Sequence, residues 1–284
     1  MLALQAQRSN TNSRTFGLGG KGYWNQNRDQ LQFGIGGGNV SNDYLDFLGS
    51  GQEVRSEEDL RAYFLRYQHQ IRPNWYFGGQ ALYSNYNVDG SDPTSAQALD
   101  SVGLTGEDAS GVGLIVSFDS RDNSSNPTRG ALVQLHNFAF RDGLGSDSNF
   151  DVVTGELKWH AQTGVRNVLV LHGKYRWTRD APESKQSTVE LRGYVRGQYI
   201  GRSSLTLEVE DRYMFKQRWG AKVFAGLACL YGSGKNCSGE NVYPMAGGGV
   251  FYVVKPEANM VITAEFAKGN AENHGFYVSF GHRF

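Results

Sequence analysis

The chain has 284 residues, with Lys+Arg 28 against Asp+Glu 28, Cys 2 and Pro 6. Balanced charge gives no footing for a nucleic-acid partner, and with hydrophobic residues at 39% and mean hydropathy −0.48 no window approaches the roughly eighteen apolar residues of a membrane-spanning helix. An alternating β-barrel has the same average, because every second residue of a strand meets lipid and the others face a polar lumen; Gly 37, Tyr 15 and Phe 16 fit that arrangement better than a soluble core.

Met1 to Gln7 have neither the basic start nor the apolar stretch of a signal peptide, so the expectation is an exported protein that has lost its targeting segment. Within this stretch Leu2, Leu4 and Ala6 alternate with Ala3, Gln5 and Gln7, the remnant of a strand. Period-two alternation then recurs at 15–24, 29–40, 59–71, 74–86, 111–120, 129–141, 149–162, 165–178, 204–215, 218–231, 246–254, 258–268 and 274–284. The pattern predicts an all-β, transmembrane antiparallel β-barrel of about fourteen strands, with sixteen or twelve as alternatives; an even count leaves both chain ends on the periplasmic side. No segment offers a capped apolar stripe of helical period.

The connections alternate in length. Asn25 to Arg28, Arg72–Pro73, Asp122 to Thr128, Gln162 to Gly164, Lys216–Gln217 and Lys255 to Glu257 are short. Leu45–Glu58, Asn87–Ser110, Arg141–Ser148, Arg179–Ser203 and Gly232–Met245 are long. Short periplasmic turns and long outer loops produce this alternation. No linker, low-complexity tract or second domain interrupts it, so residues 1–284 read as one outer-membrane barrel domain with an incomplete amino-terminal end.

Facing follows strand by strand. Leu169, Leu171, Gly173, Tyr175 and Trp177 belong to lipid, and His172, Lys174 and Arg176 to the lumen. Val153, Gly155, Leu157 and Trp159 alternate with Thr154, Glu156, Lys158 and His160, and Met260, Ile262, Ala264 and Phe266 with Val261, Thr263 and Glu265. Trp24, Trp75, Trp159, Trp177 and Trp219 lie near strand ends, where interfacial girdles belong. In the carboxyl-terminal strand Phe276, Val278, Phe280, His282 and Phe284 share one face, and Tyr277, Ser279, Gly281 and Arg283 the other. An aromatic terminus after such alternation suits a barrel whose last strand meets lipid and closes against the first. The expected location is the outer membrane of a Gram-negative-type bacterium, in contact with the lipid bilayer and lipopolysaccharide. Cys229 and Cys237 flank the polar stretch 232–236 and are expected to form a loop disulfide in an oxidising compartment, two unpaired thiols being the alternative.

Two motifs stand out. Asp119, Arg121, Asp122, Asn123, Pro127, Thr128, Arg129 and Gly130 run off one strand, through a periplasmic turn and into the next; Asn126-Pro127 and Arg129-Gly130 are turn chemistry, so a structural role is expected. Leu191, Arg192, Gly193 and Tyr194 lie inside the longest loop, ahead of a strand that carries Glu208, Glu210 and Arg212 on its inner face. On these motifs the chain resembles the BamA/TamA-type outer-membrane insertase superfamily, also called bacterial surface antigens, from about residue 111 to Phe284 and more weakly before that. The resemblance implies that the sixth outer loop folds back into the lumen, where acidic residues hold its Arg-Gly-Tyr tip. Arg192 would be the plug arginine, Glu208 and Glu210 its partners, and Glu265 a third across the barrel. A guanidinium presents donors in a fork that matches carboxylates; a solvated loop arginine is the plain alternative.

The resemblance further implies insertion or translocation of client outer-membrane proteins through a seam between the first strand and Phe276–Phe284. Against the family pattern, the expectation is a short member without POTRA domains ahead of the barrel, which leaves client delivery open. A passive or plugged solute pore and a structural anchor for a partner chain are the other readings, and a homo-oligomer is compatible with each. Catalysis, a cofactor and a metal are not expected: His172 with Glu156 or His160 lacks metal-ligand spacing, and Ser203, Ser204 and His274 lack a supporting pattern. Gly36 to Gly38 and Gly247 to Gly249 have no following helix or lysine and read as relief of crowding in a strand.

Overall fold

The computed structural model describes residues 2–8, 13–124, 126–256, 260–270 and 272–283. Fourteen strands form one antiparallel sheet in chain order. They are β1 (Leu2–Arg8), β2 (Arg14–Trp24), β3 (Asp29–Tyr44), β4 (Val54–Arg72), β5 (Trp75–Gly90), β6 (Gly106–Asp119), β7 (Gly130–Phe140), β8 (Phe150–Gln162) and β9 (Asn167–Arg179). After the loop pair β10 (Ser187–Thr188) and β11 (Ile200–Gly201) come β12 (Ser203–Met214), β13 (Trp219–Tyr231), β14 (Val242–Lys255), β15 (Met260–Gly269) and β16 (His274–Phe280). Among the described residues the sheet count is fourteen, the leading expectation.

The two faces of the sheet separate as the alternation requires. Leu114 (57% exposed), Leu135 (57%), Val223 (63%) and Val278 (65%) belong to a continuous outward apolar band, while Glu208, Glu210, Arg212, Lys222 and Glu265 are buried on the inner face. Charges inside and hydrocarbon side chains outside invert a soluble core, and that inversion is stable where the surrounding solvent is lipid. Trp24, Trp75, Trp159 and Trp219 mark the rim at the short turns, and Trp177 lies toward the opposite rim. Cross-strand ring contacts extend the girdle, Trp75 to Phe118 at 5.3 Å and Trp219 to Tyr252 at 4.8 Å.

The structure departs from the sequence expectation in three places. The ladders of β3, β4 and β5 continue to Tyr44, Val54 and Gly90, well past the end of the apolar alternation. Above the bilayer, backbone pairing needs no lipid-facing side chains, so polar segments such as Ser41 to Asp43 and Asn87 to Asp89 carry the sheet on into water. A helix, α1 (Pro93–Ser101), stands in the loop between β5 and β6. Its local signal was Asp92, whose side chain accepts from the Ser95 N–H at the helix start, followed by a proline in the first turn. β16 ends at Phe280 because Gly281 adopts φ +87 and turns the chain inward, so His282 packs edge-on against the buried Phe251 at 5.0 Å and does not share the lipid face of Phe276, Val278 and Phe280. Phe284 lies outside the described residues.

β1 and β16 stand at the two ends of the strand order, and among the described residues no ladder joins them. Each has seven residues, against 19 in β4. Extraction in detergent followed by gel electrophoresis without boiling should give a faster-migrating folded band that shifts on heating. One unshifted band, or a monodisperse folded species in detergent-free buffer, would contradict the membrane-facing band.

Candidate functional site

The inner wall of β12 to β16 is built by register. Glu208 lies opposite His172 of β9 and Gly226 of β13, Glu210 opposite Phe224, and Arg212 opposite Lys222. One strand further, Gly249 of β14 stands between Lys222 and Glu265, and Glu265 pairs with Tyr277 of β16. A Cβ on Gly249 would sit 2.3 Å from the Ala264 carbonyl oxygen. The bare backbone there lets the Lys222 ammonium cross to Glu265.

The loop between β9 and β12 drops its tip onto this wall. Arg192 is 1% exposed. Its Nη1 donates to Glu210 at 2.8 Å and to Glu265 at 2.9 Å, its Nε reaches Glu208 at 3.3 Å, and the guanidinium carbon lies 3.3 Å from the Phe224 ring centroid. Arg212 donates to the other oxygen of Glu210 at 2.7 Å. Lys222 pairs with Glu265 and lies 3.7 Å from Glu210. Three cations thus face three carboxylates away from bulk water, where each partner offsets the desolvation of the next and the loss of one leaves a neighbour uncompensated. The network continues through His172, 3.6 Å from Glu208 and 3.0 Å from Glu156, to Lys158, 3.2 Å from Glu156.

The rest of the tip is held by packing and hydrogen bonds. Gly193 adopts φ +90, a conformation that disfavours any side chain, and its N–H donates to the Tyr277 hydroxyl at 2.8 Å. The Tyr194 hydroxyl lies 2.7 Å from the Pro244 carbonyl oxygen and accepts the Asn270 N–H at 3.0 Å. Leu191 is buried in an apolar cluster with Val189, Tyr199, Leu230, Tyr243 and Met245. Above the tip, Tyr199 donates to Asp46 at 2.9 Å and the Leu48 N–H to the Gln198 carbonyl at 3.0 Å, tying the loop to its neighbour between β3 and β4. From below, Arg283 donates to the Glu190 carbonyl at 2.9 Å.

Residues 61–284 match the Omp85 superfamily domain. The chain belongs to the Omp85 superfamily. It is an outer-membrane β-barrel protein of the Gram-negative type. Its fold is similar to that of BamA from Haemophilus ducreyi lacking POTRA domains 1-3, with a TM-score of 0.61 at 12% identity over 99% of this chain and 64% of that one. CdiB from Acinetobacter baumannii gives 0.65 at 11% identity over 98% and 53%, and CdiB from Escherichia coli 0.62 at 11% over 96% and 53%. The chain therefore spans between about half and two thirds of those structures' length. No curated protein matches it in sequence.

In this Omp85 barrel five sheet strands follow the inward loop. Arg192, Glu208, Glu210 and Glu265 meet at one point. Lys222, Phe224, Tyr277 and Gly249 complete the site without having been singled out as parts of it. An inward lysine two positions before an inward phenylalanine was the available signal for the first pair, and Tyr277, read only as a seam residue, also supports the loop tip.

The other singled-out residues lie apart from this wall. Asp119 and Arg121 form a two-pronged pair at 2.9 and 2.8 Å. Asp122 accepts the Thr128 hydroxyl at 2.6 Å and the N–H groups of Thr128 and Arg129 at 2.9 and 3.2 Å. Partial burial pushes the Asp122 carboxyl up, but these donors outweigh it and hold it below the usual carboxylate range. Asn123 caps the Asn126 N–H at 3.0 Å, Pro127 is buried, and Gly130 opens β7. Cys229 at the top of β13 and Cys237 in the following loop are disulfide-bonded, with Cα atoms 5.3 Å apart.

Replacing Arg192 by Ala should destabilise the barrel by about 3–5 kcal/mol, because Glu208, Glu210 and Glu265 lose their shared cation. Arg192→Lys should cost less, since it keeps the charge and loses the fork. The midpoint of the heat-induced gel shift measures both; equal midpoints for the Ala variant and the unsubstituted protein would show that the network carries no stability.

Proposed function

We propose that this Omp85 barrel assists insertion or translocation of client proteins, with the β1–β16 edge as the client-binding seam and the Arg192 loop as the plug of its lumen. The observation that carries the reading is the pair of short strands at the ends of the sheet with no ladder between them among the described residues. Backbone N–H and C=O groups left unpaired in lipid cost several kcal/mol each. An incoming client strand relieves that cost by adding to the edge, so the edge serves as a template.

The plug and the seam touch. Gly193 donates to Tyr277 on β16, and Arg283, just beyond β16, donates to the loop at Glu190. Displacement of β16 by a client therefore removes contacts from the plug, and the two events are mechanically linked. The clients are expected to be outer-membrane proteins or a partner chain.

Ser279 is the better probe of the seam, because Tyr277 is occupied by the plug. A Ser279→Cys protein, placed in a competent assembly system with clients carrying cysteines in their edge strands, should form client adducts, and their absence would defeat the seam. The charged lumen favours a second reading, a solute pore, through Lys174 and Arg176 on the inner face of β9. Planar-bilayer recording separates the two: a plugged barrel conducts in brief openings that lengthen in Arg192→Ala, whereas large steady conductance in the unsubstituted protein would favour the pore.

A further inference from the structure

The formal net charge of +0 conceals a polarity along the barrel axis. Each of the six short turns carries or adjoins an exposed cation: Arg28 after β2, Arg72 at the end of β4 and Arg129 after β6. Arg166 follows β8, Lys216 and Arg218 follow β12, and Lys255 ends β14. Among the described residues none of these has a carboxylate within 4.0 Å, and Arg129 is held by the neutral side chain of Gln162 at 2.6 Å. Among the described residues, Asp29 is engaged with Tyr67 and His69, Asp119 with Arg121, and Asp122 with the turn backbone. The opposite rim exposes Asp89, Asp100, Asp142, Asp180 and Glu240.

Four of the cations directly follow an exposed apolar residue: Ile71 (58% exposed) before Arg72, Val165 (95%) before Arg166, Phe215 (42%) before Lys216 and Val254 (40%) before Lys255. The tryptophan girdle of Trp24, Trp75, Trp159 and Trp219 lies beside them.

We propose that this periplasmic rim binds the head groups of anionic phospholipids in the inner leaflet of the outer membrane. A guanidinium or ammonium meets the phosphate while the apolar neighbour enters the head-group boundary, the pairing that interfacial segments use. The distribution around the whole circumference favours lipid over a protein partner, because a docked protein covers one flank, whereas annular lipid contacts every turn.

Tryptophan quenching by brominated lipids tests this. In a Trp177→Phe background the remaining tryptophans all report from the short-turn rim. In mixed vesicles, brominated phosphatidylglycerol should out-compete brominated phosphatidylcholine by about fivefold or more in relative association, and the preference should shrink as salt is raised. In a protein carrying Arg28→Gln, Arg72→Gln, Arg129→Gln, Arg166→Gln, Lys216→Gln, Arg218→Gln and Lys255→Gln, with folding checked by the heat-induced gel shift, the preference should fall to near unity. Equal quenching by the two lipids in the Trp177→Phe protein would overturn the proposal and point to a soluble acidic partner. A preference indifferent to salt, or one retained in the neutralised protein, would overturn it as well; the salt series needs no further variant.

Discussion

Arg192 sits at the centre of the molecule's polar interior, within hydrogen-bonding reach of Glu208, Glu210 and Glu265 and against the Phe224 ring. Glu208 and Glu210 on β12 and Glu265 on β15 would repel one another away from bulk water, and Arg192 pairs with all three. The loop arginine therefore makes the acidic wall tolerable, and the wall in turn fixes the loop. The inward fold of the loop thus supplies the cation that offsets the desolvation of the acidic wall.

The same interaction sets the requirements on the surrounding strands. Phe224 lies under the guanidinium, which demands little bulk opposite, and Gly247 and Gly249 of β14 supply that space. Gly193 supplies the left-handed turn that brings its N–H to Tyr277, and through Tyr277 the inward loop reaches the last strand of the sheet. The most strongly paired part of the interior is thus bonded to one of the two least paired strands. In the Omp85 barrel described here the charged interior and the short last strand are adjacent, joined by the Gly193–Tyr277 hydrogen bond.

Much of this was readable in the amino-acid order. Alternation at Leu169 to Trp177 and at Met260 to Phe266 announced which side chains meet lipid, and alternating connection lengths announced which rim carries the loops. Glu208, Glu210 and Arg212, two apart on one strand, had to share a face. The tops of β3 to β5 were not readable, because strands in water lose the lipid-facing period while keeping their backbone ladders. Nor was the inward turn at Gly281, since a glycine in an alternating segment is compatible with both a strand and its end.

Sequence by itself determined the class of solvent on each side of the wall, because side-chain direction along a strand has a period of two and needs no partner to be defined. Only the tertiary structure decided which residues meet across the lumen. Lys222 and Glu265 are brought together across Gly249, and Gly193 and Tyr277 across 84 positions, by the register of five successive strands, a property of pairing between segments that no single segment contains.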